Sequence, residues 1–219
     1  MLISQALDDE ELEQLLQCFK ELNWSDGKGS ARGSAKNKKS NHQAYSGQPE
    51  FQPINKLIDN LVFNKYKTHL YPSKIIGLRA SVYDSKSEDQ YDWHVDYAHM
   101  EGHRTDFSFT LFLSDKTKYE GGELDIETNG LTYTVKGKSG EIVFYNTGDR
   151  HRVRKVTQGT RLVVVGWISS LISNPEHRTV LGNIGGILSS LASIEDKEVV
   201  NIRTKLNDNY FRLMRIFSS

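Results

Sequence analysis

The apolar positions change period twice along the chain. Leu12, Leu15, Leu16, Phe19 and Leu22 recur at helical spacing behind Asp8, with Glu11 three residues after that aspartate. The spacing predicts an amphipathic helix over 8–22 opened by a capping box. Ile54, Leu57, Ile58, Leu61 and Val62 repeat in the same way and predict a second helix over 52–66, backing a sheet. From Lys74 the period becomes two. Ile76, Leu78, Ala80 and Val82 fall on one face, and Arg79, Ser81 and Tyr83 on the other. Strands are then expected at 107–113, 123–127, 131–135, 141–145, 151–156 and 161–168, separated by turn residues. Helical spacing returns after Asn174-Pro175, through Ile187, Leu188, Leu191, Val199, Ile202 and Leu206.

Short strands at this spacing are the pattern of a sandwich or barrel, so the fold class is mainly β with flanking helices. Three parts of one structural unit are expected: N-terminal helices and a long loop over 1–72, a β-core over 73–172, and a helical extension over 173–219. The loop at 23–50 is too long to be an idle connection. Between Ser25 and Ala44 it carries Lys28, Arg32, Lys36, Lys38 and Lys39 against Asp26. It is read as a solvated segment, or as one that folds over a substrate or grips an acidic partner.

Composition narrows the classes. Lys+Arg and Asp+Glu both number 28, so zero net charge gives no reason to expect nucleic acid or an anionic membrane as partner. Cys18 is the one cysteine, which excludes an intramolecular disulfide and a Cys-rich zinc site, and suggests a reducing, cytoplasmic setting. The N-terminal stretch turns acidic by Asp8 without the basic and apolar regions of a signal peptide. No apolar run approaches the roughly 18 residues of a membrane span.

The chemistry gathers around His94-Val95-Asp96. On a strand, residues two apart project to the same side, so the H-x-D triplet presents an imidazole and a carboxylate together. Asp92 shares that parity and is a rival. His151, just beyond the Thr147-Gly148-Asp149 turn, opens a later strand and brings a second imidazole. His99 and His103 are surface histidines or an i,i+4 metal pair, the latter disfavoured by Gly102. Two histidines and one carboxylate are the ligand set of a non-haem Fe(II) site with open positions, and would also suit Zn²⁺. Singly, these residues read as unrelated polar groups; Arg161 ties them together. It opens an apolar strand (Leu162, Val163, Val164, Val165), where a guanidinium needs a partner. A dicarboxylate meets that need, one end on the metal and the other on the planar guanidinium fork. The stretch 156–160 reads as a hairpin turn that pairs the His151 strand with the Arg161 strand.

At this point the chain resembles the Fe(II)/2-oxoglutarate oxygenases, within them the prolyl 4-hydroxylase-like group, and most closely the bacterial PKHD-type hydroxylases. The matching residues are H-V-D at 94–96, Y-E-G-G-E-L at 119–124, V-F-Y at 143–145, H-R-V at 151–153, Gly159-x-Arg161 and Trp167. They are flanked by Asn23-Trp24-Ser25-Asp26-Gly27 and by Tyr210, Leu213, Met214 and Arg215.

The resemblance implies a double-stranded β-helix (a cupin-like jelly roll). It also implies Fe(II) on His94, Asp96 and His151, and 2-oxoglutarate on Arg161 and Tyr83. O₂ is the oxidant, with ascorbate as a candidate reductant. Substrate contacts map onto Tyr91, Arg104 and Trp167. Leu124 stands where many prolyl hydroxylases have a threonine, and Ser169 where bacterial relatives usually have glutamine. Asp96 argues against a halogenase. The absence of a second arginine six residues after Arg161 argues against nucleic-acid demethylation. The expected activity is hydroxylation of a proline-containing peptide, with decarboxylation of 2-oxoglutarate to succinate. The alternatives are the same chemistry on a small molecule or free amino acid, or a non-catalytic metal-containing binding module. The C-terminal helices either pack on the sheet or build a homodimer interface.

Overall fold

A computed structural model describes residues 1–30 and 39–218. Arg32, Lys36 and Lys38 of the basic stretch lie outside the described residues.

The chain opens with β1 (Leu2–Gln5), α1 (Asp9–Glu21), β2 (Ser25–Asp26), β3 (Lys39–Ser40), β4 (His42–Tyr45), α2 (Gln52–Asn60) and α3 (Lys67–Leu70). The strands β5 (Pro72–Asp84), β6 (Gln90–His94), β7 (His99–Met100), β8 (His103–Arg104), β9 (Phe107–Phe112) and β10 (Glu120–Gly121) follow. After them come β11 (Leu124–Thr128), β12 (Leu131–Val135), β13 (Glu141–Asn146), β14 (Arg150–Val153), β15 (Val156–Gln158) and β16 (Thr160–Ser170). The chain closes with α4 (Pro175–Ser190) and α5 (Lys197–Phe217).

The first helix starts as its sequence requires: the Glu11 amide donates to Asp8 Oδ1 at 2.8 Å and the Asp8 amide to Glu11 Oε2 at 3.1 Å. This closes the expected capping box and satisfies two otherwise orphaned donors. The second helix continues as a π-helical turn over Leu61–Lys65.

Two antiparallel sheets face each other. The larger has the order β1-β13-β9-β16-β5-β4-β2 and the smaller β12-β11-β14-β6-β3. Core strands alternate between them except at the β11–β12 hairpin: β5, β9, β13 and β16 lie in the larger sheet, and β6, β11, β12 and β14 in the smaller. That alternation is the double-stranded β-helix. The space between the sheets is filled by Tyr83, Phe112, Val143, Tyr145 and Val163 from one side and Leu124, Ile126, Val135 and Val153 from the other. The outer face of the larger sheet is covered by helices. Leu15, Phe19, Ile54 and Ile58 pack on Leu78, Ala80, Phe109 and Val164. β9 has helices on one side and the smaller sheet on the other, and all six of its residues are buried. At the far end, Leu181 of α4 and Leu213 and Met214 of α5 enclose Tyr71 and Ile172. Among the described residues no helix is long and apolar enough to cross a membrane.

Three expectations are corrected. The 23–50 loop contributes strands to both sheets: β4 pairs with β5, and β3 with β6. β1 also adds an edge strand by pairing with β13. These strands have two to four residues, too short for alternation to declare itself.

The His151 strand does not pair with the Arg161 strand. β14 lies between β11 and β6 in the smaller sheet, whereas β16 lies between β5 and β9 in the larger. The expected strand at 151–156 breaks after Val153, and β15 turns away to pair with β10. The chain therefore leaves the smaller sheet after Val153, and the turn at Gly159 leads from the separate β10–β15 pair into the larger sheet instead of closing a hairpin between the His151 and Arg161 strands.

The H-x-D triplet is not delivered by one continuous strand. β6 ends at His94, leaving Asp96 just beyond it.

Candidate metal centre and cavity

A cavity opens between the sheets, and His94, Asp96 and His151 line it together. Each offers one ligand atom, and the three atoms lie within 4.8 Å of one another. His94 Nε2 is 3.7 Å from Asp96 Oδ1, and His151 Nε2 is 3.4 Å from Asp96 Oδ2. The two histidines face each other across the β6–β14 pairing, in direct register.

Their other nitrogens decide the tautomer. His94 Nδ1 is 2.8 Å from the Asp92 carbonyl oxygen, and His151 Nδ1 is 2.9 Å from the Asp149 carbonyl oxygen. A carbonyl only accepts, so both Nδ1 atoms carry the proton. Both Nε2 lone pairs then point toward the aspartate. Burial, with His151 close by, pushes the His94 pKa down to about 4, so this imidazole is neutral at pH 7. A neutral imidazole is the state a metal binds. Backbone carbonyls behind ligating histidines are the usual support of such sites. This donor set fits a divalent ion of the iron or zinc type.

Asp96 is held from the other side. Its Oδ2 accepts from Trp167 Nε1 at 2.8 Å and from the Ser108 hydroxyl at 3.0 Å. Ser108 in turn lies 3.2 Å from Thr147 Oγ1. Asp92, the rival of equal parity, accepts the Trp93 amide and does not join the cluster. His99 and His103 lie on the separate β7–β8 hairpin, where the His103 ring meets Lys74 at 2.9 Å.

Arg161 lies within the same cavity and is 1% exposed. Its Nε and Nη2 are buried with no hydrogen-bond partner among the described residues. The guanidinium sits 5.2 Å from the Tyr83 ring centre and 5.3 Å from that of Phe112. Aromatic faces steady the cation without using its donors, which stay free for an incoming anion. Burial pushes the Tyr83 phenol up to about 12 against the opposing pull of Arg161, so Tyr83 is a neutral donor at pH 7.

The Gly-Gly pair before Leu124 shapes this wall. Gly122 has φ +66°, and a Cβ there would crowd Arg161 Cδ, Val156 and Tyr119.

Of the expected substrate residues, Tyr91 and Trp167 line the cavity. Tyr91 stacks on His94 with ring centres 3.6 Å apart. Arg104 is not brought to the cavity. It donates to Asp106 at 2.8 Å and to the Ser170 carbonyl at 2.7 Å, tying the β7–β8 hairpin to the end of β16.

Among the further lining residues, Ser108, Tyr145 and Arg79 carry no site role in the sequence reading, and Lys39 is named there only within the basic loop. For Arg79 a signal existed, since it shares the face of Tyr83 four residues later. For Lys39 the signal was the basic run it belongs to, read as able to fold over a substrate or grip an acidic partner.

The comparisons with known proteins agree with this geometry. The description 2OG-Fe(II) oxygenase superfamily matches residues 78–169, the span that carries the cluster. A PKHD-type hydroxylase of Crocosphaera subtropica is 37% identical over 216 residues, covering 96% of this chain and 96% of its own length. A Pseudomonas putida prolyl-4-hydroxylase superposes with a TM-score of 0.57 at 18% identity, covering 77% of this chain and 91% of that one. A Trichoplax adhaerens prolyl hydroxylase in complex with a hypoxia inducible factor oxygen degradation domain peptide fragment superposes with a TM-score of 0.61 at 13% identity. It covers 77% of this chain and 83% of that one. At such identities the solved structures speak for the fold alone.

Proposed function

The chain belongs to the 2OG-Fe(II) oxygenase superfamily, among the PKHD-type hydroxylases, and on that premise we propose the roles of its residues and the class of its substrate. It is a 2-oxoglutarate-dependent hydroxylase.

His94, Asp96 and His151 hold its iron, and Arg161 with Tyr83 receives the far carboxylate of 2-oxoglutarate. The substrate is a proline-containing peptide or protein. The observation that carries this reading is the conjunction of two incomplete sites in one cavity. One is a His-Asp-His set with both Nδ1 atoms tied to backbone carbonyls, and the other a buried guanidinium with donors to spare.

When bound, iron(II) with O₂ supplies the oxidising power, coupling decarboxylation of 2-oxoglutarate to succinate and CO₂ with insertion of one oxygen atom into a C–H bond. The protein supplies position and exclusion of water. Trp167 and Ser108 fix the Asp96 carboxylate through Oδ2, which keeps Oδ1 near His94 and Oδ2 near His151. Arg161, flanked by Tyr83 and Phe112, gives the co-substrate one orientation, since a planar fork binds a carboxylate bidentately. Tyr91 and Trp167 line the cavity beside the cluster, where the substrate would lie.

The test is anaerobic titration of the protein with Fe(II) and 2-oxoglutarate, followed in the visible charge-transfer band, then admission of O₂ and counting of succinate with and without proline peptides. The band is expected to form, to be lost in Arg161→Ala, and to be followed by peptide-stimulated succinate. A band without peptide stimulation would turn the search to small molecules. The absence of any band would refute the metal assignment.

A further inference from the structure

Two more cations line the cavity and have no part in the chemistry above. Arg79 lies on β5 four residues before Tyr83, which puts their Cα atoms about 13 Å apart along an extended strand. In register, Tyr83 faces Arg161 and Arg79 faces Val165, so the two guanidiniums belong to opposite ends of the cavity. The Arg79 guanidinium is held 5.6 Å from the Tyr45 ring centre and 5.0 Å from that of Trp167. It makes no ion pair with a described residue, and its Nε is buried without a hydrogen-bond partner among them.

Lys39 is 5% exposed. Its ammonium lies 2.6 Å from Ser30 Oγ and 4.8 Å from the Tyr91 ring centre. Ser30 is anchored in turn by Gln43 Oε1 at 2.7 Å, and Gln43 by Ser81 at 3.0 Å. Both cations therefore come from positions fixed by packing: one is clamped between rings, the other stands at the end of a polar relay.

Burial of Lys39, with the Arg79 charge close by, lowers its pKa to about 7. Two buried like charges raise each other's cost, and an anion placed between them removes it. Asp96 lies near both but is already held by Trp167 and Ser108. Arg161 is the receptor for the co-substrate carboxylate at the other end.

We propose that Arg79 and Lys39 form an anion subsite beside Trp167 and Tyr91, and that the substrate of this hydroxylase carries a carboxylate that docks there. The proposal rests on the oxygenase reading and adds the charge of the substrate to it. The carboxylate belongs either to a peptide, as an acidic side chain near the proline, or to a free carboxylic acid.

The experiment uses the full chain loaded anaerobically with Fe(II) and 2-oxoglutarate. Co-substrate affinity is measured first. Two matched pairs are then titrated by calorimetry: a short peptide with glutamate beside proline against its glutamine counterpart, and N-acetylproline against N-acetylprolinamide. The acid of at least one pair is expected to bind about tenfold more tightly than its amide, equivalent to about 1.4 kcal/mol. Preference in the peptide pair assigns a peptide carboxylate, and preference in the acetylproline pair alone assigns a free acid. Arg79→Gln and Lys39→Met are expected to remove the preference while 2-oxoglutarate binds as in the parent protein. Arg79→Lys, which keeps the charge and loses the fork, is expected to retain part of it. Equal binding of acid and amide, or binding of neither, overturns the proposal. Weakened 2-oxoglutarate binding in Arg79→Gln also overturns it, by assigning Arg79 to the co-substrate. Failure of the parent protein to bind 2-oxoglutarate overturns the oxygenase reading itself, and the opening titration distinguishes that case.

Discussion

The indole N–H of Trp167 donates to Asp96 Oδ2 at 2.8 Å, so the last strand of the larger sheet fixes the one proposed ligand that no strand carries. His94 and His151 are aimed by the ladder they share, whereas Asp96 would swing with its loop. Trp167→Phe keeps the ring packing and deletes this bond. It is expected to weaken divalent metal affinity by about 10–100-fold, the usual penalty for losing a ligand's support. Titration of the apo protein with Mn²⁺ or Co²⁺ gives the answer, and unchanged affinity would mean that Ser108 suffices.

Arg161 is a buried charge whose proposed partner is the co-substrate. Arg161→Met removes an unpaired cation from the apo protein, so thermal stability without 2-oxoglutarate is expected to match or exceed that of the parent. With metal present and the co-substrate at a hundredfold excess over its dissociation constant, the parent gains about 2.7 kcal/mol and the variant nothing. Thermal melts with and without 2-oxoglutarate measure both halves. A destabilised apo variant would contradict the idea that this charge waits for a ligand.

Gly122 combines a left-handed backbone with close neighbours. Gly130 has a similar φ of +77° with open space around its Cα. Gly130→Ala is expected to cost about 1 kcal/mol, and Gly122→Ala about 2–3 kcal/mol or more, the excess being the push on Arg161 and Tyr119. Urea denaturation of the two variants side by side reads the difference. Similar losses would show that the Arg161 wall yields without strain.

Lys39 gives the fold a pH dependence of known sign. In the folded protein it releases its proton near pH 7, whereas in the unfolded chain it keeps it to about pH 10.4. Between those values the unfolded state binds more protons, so raising the pH favours folding. Below about pH 7 both states are protonated and the contribution is flat. The stability of the parent relative to Lys39→Met is therefore expected to rise from pH 7 to pH 9 in urea titrations. A constant difference would mean that Lys39 keeps its charge when folded.

Much of the strand layout was legible because alternation is local: a strand half-buried by one core shows its period whatever its partner. The same reasoning placed Arg79 and Tyr83 on one face. Pairing is not local. Nothing in 154–160 distinguishes a hairpin turn from a passage through a separate short strand pair to the opposite sheet, and only the latter puts His151 and Arg161 in different sheets. The cluster survived that error because facing sheets converge on one interior as well as neighbouring strands do. Arg104 was placed by motif spacing alone, and a two-residue strand ending in a salt bridge to Asp106 removed it from the cavity. Lys39 was visible as part of a basic run, but its burial was not, because that depends on Ser30, Gln43 and Tyr91, contacts that only the folded chain brings together.

The pairing of β1 with β13 sets Leu2 against Phe144. During synthesis the strand at the start therefore leaves the ribosome roughly 140 residues before its partner, a wait on the order of ten seconds at typical elongation rates. Through that interval its hydrogen-bonding edge has no partner strand, although β5, on which the first two helices pack, is made well before β13. The larger sheet is thus completed late, and β1 is the strand edge that waits longest for its partner.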